Sequence, residues 1–235
     1  MERLRNNDQR ARYAILLIWI VLALEIINII SSYMQYDLLL AMASGADIPD
    51  ELANANDIRE QIAGIFYLIA SIISAITFIM WFRRAYYNLH QKVGTLSLSE
   101  GWAAGSWFIP IVCLYRPYQI MKELYIETKE LLKRNGFAES VNYTTSYLGW
   151  WWGLWIASGI IGNFILRFSL RSAETIDDYI ELTIAQMVIS VLGIPLALIT
   201  IKIIKDYSGA EPLLHEIKEN LSNRNTETRP ESNNP

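Results

Sequence analysis

Glu25 stands within an apolar run, residues 14–32, and Asn28 and Ser32 follow it at steps of three and four on the same helical face. A carboxylate in hydrocarbon is costly and usually faces a bundle interior or a water-filled cavity. With Asn28 and Asn163 as neighbours, such a group could relay a proton or a cation. The competing reading is a protonated Glu25 hydrogen-bonded to another helix. No second acid and no lysine lies inside the apolar runs, which favours that structural role.

A second set of chemically capable residues sits where apolar runs end: Arg83, Arg84 and Arg116, with Glu123 nearby in sequence. An interfacial guanidinium can hold a phosphate through two parallel hydrogen bonds, so these residues form a candidate anion or lipid-headgroup cluster. Equally, Glu123 is a candidate partner for Arg116 or for Arg83 and Arg84, which makes the cluster structural. Other chemistry finds little support. Cys113 is the single cysteine, so no intramolecular disulfide forms, and His90 and His215 are isolated from any ligand pattern. No phosphate-cradling glycine loop, GxSxG nucleophile or basic stripe suited to nucleic acid is present, and no catalytic residue, metal or cofactor is expected.

Positioning these groups falls to four long apolar stretches, residues 14–32, 62–82, 148–168 and 183–201. A hydrocarbon core of about 30 Å needs roughly 20 apolar residues of helix. The expected class is therefore an all-α integral membrane protein with four transmembrane helices. Of the 20 lysines and arginines, only Arg59, Arg167 and Arg171 lie in the two segments that an even number of crossings puts outside. Both termini then face the cytoplasm. Trp81 and Trp150 to Trp152 mark span ends at that inner interface. The N-terminal arginines Arg3, Arg5, Arg10 and Arg12 before an apolar run imitate a signal peptide, but the run exceeds the usual h-region and predicts a retained anchor.

A fifth apolar segment, residues 101–115, is too short to cross. As a helix it would rise only about 22 Å, and Gly101, Gly105 and Pro110 weaken or bend it. A crossing would also move Arg116 and every basic residue after it outside. The segment, with Trp102 and Trp107 flanking its glycines, is expected to be re-entrant from the cytoplasmic side or to lie at the interface. Next, residues 118–134 carry Tyr118, Met121, Leu124, Tyr125, Thr128, Leu131 and Leu132 on one face of an amphipathic helix. Anchoring at the inner leaflet and packing on the protein itself both fit that face.

Residues 47–61 predict a helix entering the second span, with Pro49 near its start. Residues 208–235 form a cytoplasmic tail, apolar-striped through Leu221 and of disordered composition from about 222. The glycosylation pattern at Asn142, Tyr143 and Thr144 falls on the cytoplasmic side, where it would not be used. Small residues at four-residue steps mark expected helix contacts: Gly149, Gly153 and Ala157, Ser158 with Gly162, Ala70 with Ser74, and Gly193 with Ala197. Pro195 predicts a kink.

Three central blocks have a recognisable order: Trp81-Phe82-Arg83-Arg84-Ala85-Tyr86-Tyr87-Asn88-Leu89, Gly101-Trp102-Ala103-Ala104-Gly105-Ser106-Trp107-Phe108-Ile109-Pro110, and Arg116-Pro117-Tyr118-Gln119-Ile120-Met121-Lys122-Glu123-Leu124. They resemble the bacterial membrane family named domain of unknown function 4328. The resemblance implies a multi-span membrane protein, with a layout extending from the first span to the fourth, and it implies no activity. In the second block the glycines would permit close backbone approach beneath the tryptophans. The expected role is a non-enzymatic interaction, sensing or scaffold module whose partners are the bilayer, anionic lipid or other membrane proteins. A small transporter or channel built on Glu25, and a lipid-handling enzyme at the inner interface, are the alternatives.

Overall fold

The computed structural model describes residues 4–137, 144–169 and 175–227, with only the backbone of His215 and of 218–227. Asn142 and Tyr143 of the glycosylation pattern, Arg171 in the third loop, and the tail from 228 lie outside the described residues. Among these residues every regular element is helical: α1 (Asp8–Ala43), α2 (Asp50–His90), α3 (Trp102–Gly105), α4 (Arg116–Arg134), α5 (Ser146–Ser169) and α6 (Ile176–Glu227), with a 3-10 turn at Val112–Leu114.

The long helices outrun a bilayer. α1, α2 and α6 have 36, 41 and 52 residues, or roughly 54, 62 and 78 Å of rise. All three are long and apolar enough to cross a membrane. α5, with 24 residues, would rise about 36 Å, but Trp150, Trp151, Trp152 and Trp155 dilute its hydropathy. Three of the four expected spans thus meet the test of length and composition. The helix expected at 47–61 is the start of α2, which runs without a break from Asp50 into the second apolar stretch.

Where the helices stop, the backbone explains it. Gly45, at φ +85°, follows α1 and lets Ala46 N–H reach Ala41 O while Gly45 N–H reaches Met42 O, both at 3.0 Å. Gly136 does the same for α4: its φ is +87°, and Phe137 N–H bonds Leu132 O at 3.0 Å. α6 continues through Pro195 and Pro212 and on to Glu227, six residues into the stretch whose composition predicts disorder.

Two compact units divide the chain. The first draws its described residues from Met1–Ala11, Ile79–Thr145 and Ile203–Pro235. Its core is sealed: Trp81, Phe82, Tyr86 and Leu89 from α2, Met121, Leu124, Tyr125 and Leu132 from α4, and Ile203, Tyr207 and Leu214 from α6 are fully buried. The apolar stripe of α4 therefore faces this core. Tyr125 Oη donates to Ile203 O at 2.8 Å, and its ring lies 6.2 Å from that of Tyr207. Packing on the protein, the second of the two expected roles, is what this face does.

Residues 101–115 belong to the first unit and form no continuous helix. Four residues of α3 give way to turns, Ile111 takes φ +68°, a rare conformation for a β-branched residue, and the 3-10 turn follows. Ala103 and Ser106 are fully buried, whereas Phe108 and Ile111 are each 75% exposed. A Cβ added at Gly101 or Gly105 would meet nothing within 4 Å among the described residues. Close backbone approach is thus not what these glycines provide.

The second unit comprises Arg12–Phe78 and Ser146–Lys202. It buries little: Ile30, Phe66, Leu68, Ile160 and Leu166 are all exposed. Polar rungs join its helices. Gln35 Nε2 donates to Thr183 Oγ1 at 3.0 Å, Arg59 Nε donates to Ser31 Oγ at 2.9 Å, and Trp151 Nε1 donates to Thr200 Oγ1 at 3.1 Å. The tryptophans at the start of α5 split their roles, since Trp151 is buried and Trp150 is 74% exposed.

Candidate functional site

In the second unit, Glu25 is buried and its partner is Tyr67 of α2, whose Oη donates to Glu25 Oε1 at 2.6 Å. Ser190 of α6 is buried in the same unit. At Gly193 of α6 a built Cβ would collide with the Glu25 carboxylate. The small residue at 193 therefore accommodates a side chain from α1. Asn28 and Asn163 are not drawn in. Asn28 is half-buried and Asn163 exposed, and neither hydrogen-bonds Glu25. The other glycine steps divide similarly. Gly162 makes ordinary contact with Ile189, but Gly149 and Gly153 face open space among the described residues, so the contact expected there does not form.

The first unit holds a denser polar arrangement. Glu211, on the α6 face that carries Tyr207, Ala210 and Leu214, is buried, and its oxygens accept from Asn88 Nδ2 at 2.6 Å and Asn7 Nδ2 at 3.1 Å. Asn88 also clasps the N-terminal segment. Its Oδ1 accepts from Arg5 N–H at 3.0 Å and its Nδ2 donates to Arg5 O at 2.8 Å. Asn7 Nδ2 reaches Trp81 O at 3.3 Å. Burial, above all, pushes the Glu211 carboxyl up to about 7; the Asp8 charge adds to this, while the two amides and Arg84 oppose it.

Beside this node four guanidinium groups converge. Arg5, Arg10, Arg83 and Arg84 line a pocket of about 120 Å3 with Tyr87 and Glu100. Arg5 lies 4.4 Å from the centroid of the Tyr87 ring. Arg10 Nη1 donates to Met80 O at 2.9 Å, and Arg83 pairs with Glu100 at 3.7 Å across the surface. Arg84 makes no hydrogen bond or ion pair among the described residues. Burial first, then the like charges of Arg10 and Arg5, hold it below the ordinary arginine range.

The cluster expected from sequence therefore separates. Arg83 and Arg84 stay together and gain Arg5 and Arg10. Arg116 instead donates to Gln119 Oε1 at 3.1 Å and lies 5.2 Å over the Tyr115 ring. Glu123 pairs with no arginine among the described residues: it accepts from Tyr86 Oη at 2.6 Å and from Ser97 N–H at 2.7 Å. His90 Nε2 meets Leu98 O at 2.8 Å, so α4 and the end of α2 jointly hold the 91–100 connection. Burial raises the Tyr86 phenol, and the bond to Glu123 raises it further.

Asn7, Tyr67 and Glu211 had no motif to announce them, and Tyr86 and Asn88 stood in an ordered block that assigned them no role. One signal existed for Glu211: it interrupts the apolar spacing of Tyr207, Ala210 and Leu214 with a charge. Among the described residues no group of three or more His, Cys, Asp or Glu side chains is placed to hold a metal.

No curated protein and no solved structure shows significant similarity to the chain. A family match does, over residues 44–209, beginning after α1 and so leaving out the first apolar stretch that the resemblance was expected to include. The three blocks of ordered residues, now seen as the end of α2, the broken segment and the start of α4, all lie inside that range, and the chain belongs to the family described as Domain of unknown function (DUF4328).

Proposed function

We propose that this chain is a four-span protein of the bacterial inner membrane, with both termini in the cytoplasm, acting as a non-enzymatic interaction, sensing or scaffold module. The exposed apolar surface of the second unit carries this reading, because side chains such as Ile30, Phe66 and Ile160 are left uncovered by the described residues. α5 supplies the fourth span, its roughly 36 Å exceeding the hydrocarbon thickness. The first unit contains the N-terminal segment, the end of α2, α4 and the end of α6, which are the segments that the positive-inside rule assigns to the cytoplasm. Its exposed Phe108 and Ile111 suit an interfacial or re-entrant role for residues 101–115.

Reporter fusions at the two termini and within 44–49 test the topology: the termini should report cytoplasm and the loop the opposite side. Termini on opposite sides overturn it. Mild-detergent purification with mass spectrometry of retained lipids and proteins then tests the interaction role.

A transporter or channel is the second reading, favoured by Glu25 Oε2, which is buried without a hydrogen-bond partner among the described residues. Proteoliposomes passing protons or cations, with the flux abolished by Glu25→Gln, would replace the first reading with this one.

A further inference from the structure

We propose that Arg5, Arg10, Arg83 and Arg84 form a binding pocket for a single phosphate group, carried by an anionic lipid headgroup or by a soluble phosphate. The inference deepens the interaction role above, and its lipid source rests on the cytoplasmic placement of the first unit.

Charge is the first argument. Four guanidinium groups share one small pocket with a single carboxylate, Glu100, and that carboxylate pairs with Arg83 at the surface. Like charges held this close repel unless an anion sits among them. Arg84 feels both Arg10 and Arg5, with Tyr87 and Glu211 opposing them, and it makes no hydrogen bond or ion pair among the described residues, so its donors are available. Each guanidinium offers a planar fork that matches the oxygens of a phosphate, which a lysine ammonium does not.

Orientation is the second argument. Arg5 is stacked on Tyr87 and Arg10 is tied to Met80 O, so neither side chain is a free surface tether. Asn88 grips the backbone of Arg5 on both sides, and Glu211 grips Asn88. The segment that brings two of the four arginines is thus strapped to the helix that brings the other two. Such preorganisation lowers the ordering cost of binding. At about 120 Å3 the pocket suits one phosphate group and not an extended polymer. Arg5 and Arg10 also precede the matched range 44–209.

The test uses the full chain in detergent and in nanodiscs. One arm titrates inorganic phosphate into the detergent-solubilised protein and reads binding by calorimetry. A second counts retained lipids by native mass spectrometry after release from nanodiscs of phosphatidylcholine alone or mixed with phosphatidylglycerol. Retention of the anionic lipid with no response to inorganic phosphate identifies a headgroup site; a response to inorganic phosphate identifies a soluble ligand. Arg84→Gln should weaken the positive arm about tenfold, and Arg84→Lys nearly as much. Arg116→Gln, an equal charge change outside the pocket, should leave it intact.

Binding in neither arm, or equal losses in Arg84→Gln and Arg116→Gln, overturns the pocket. Should Arg84→Gln fail to fold, Arg10→Gln serves in its place. The phosphate arm is independent of membrane orientation, so a failed topology and a failed pocket give different results.

Discussion

Asn88 Nδ2 donates to Glu211 Oε1 at 2.6 Å, joining the end of α2 to α6 across 123 positions of chain. The same amide closes on both backbone groups of Arg5. Its two donor hydrogens and its oxygen are thus all engaged, and its burial is complete. Asn88→Ala leaves Glu211 with Asn7 alone and abandons the Arg5 backbone. The expected loss is about 2 kcal/mol or more of stability, read as a lower midpoint of thermal unfolding in detergent. An unchanged midpoint would show that the strap contributes nothing.

Glu211 should make that stability depend on pH. Its carboxyl rises from an ordinary 4.5 to about 7, chiefly through burial. A carboxyl that holds its proton more tightly when folded stabilises the fold at low pH, and that contribution is lost as pH climbs from 4.5 through 7. Glu211→Gln has no proton to lose. Its stability relative to the native chain should therefore improve across this window, by roughly 3 kcal/mol at most. Parallel stability curves for the two proteins would contradict the assignment.

Gly193 and Gly153 should respond oppositely to the same change. Gly193→Ala drives a Cβ into the Glu25 carboxylate and should cost about 1–3 kcal/mol. Gly153→Ala meets nothing within 4 Å among the described residues and should gain up to about 1 kcal/mol from helix propensity. Both effects are measurable as unfolding midpoints. Equal effects at the two sites would mean that Glu25 does not pack against α6.

Glu123 holds the 91–100 connection through Ser97 N–H and Tyr86 Oη. Glu123→Ala should raise amide hydrogen exchange at Ser97 by about tenfold. It should also lower the pH at which Tyr86 ionises, since the hydrogen bond and charge of Glu123 both hold that proton on. Exchange that stays unchanged at Ser97 would assign the connection's order to His90 and Leu98 instead.

Cys113 is the only cysteine in the chain and half-buried. On the proposed topology residues 101–115 are re-entrant from the cytoplasmic side or lie at its interface, so a membrane-impermeant thiol reagent should label it only in inside-out vesicles. Labelling in right-side-out vesicles would convert the segment into a fifth crossing.

Helix, apolar reach and the stripe on α4 were legible in the residues alone, because each follows from spacing along one element. A run from 62 to 82 is long and apolar enough to cross a membrane wherever it packs, and Met121, Leu124, Tyr125, Thr128 and Leu132 specify a buried face whatever covers it. Which polar groups meet was decided elsewhere. Asn28 shares a face with Glu25, yet the partner is Tyr67, 42 positions on. Arg116 and Glu123 stand near Arg83 and Arg84 in expectation, yet Arg5 and Arg10 arrive instead. Periodicity orders side chains around their own helix axis and carries no information about which face of a distant helix lies opposite. Only the packed fold, with Asn7 meeting Glu211 across 204 positions, sets that pairing.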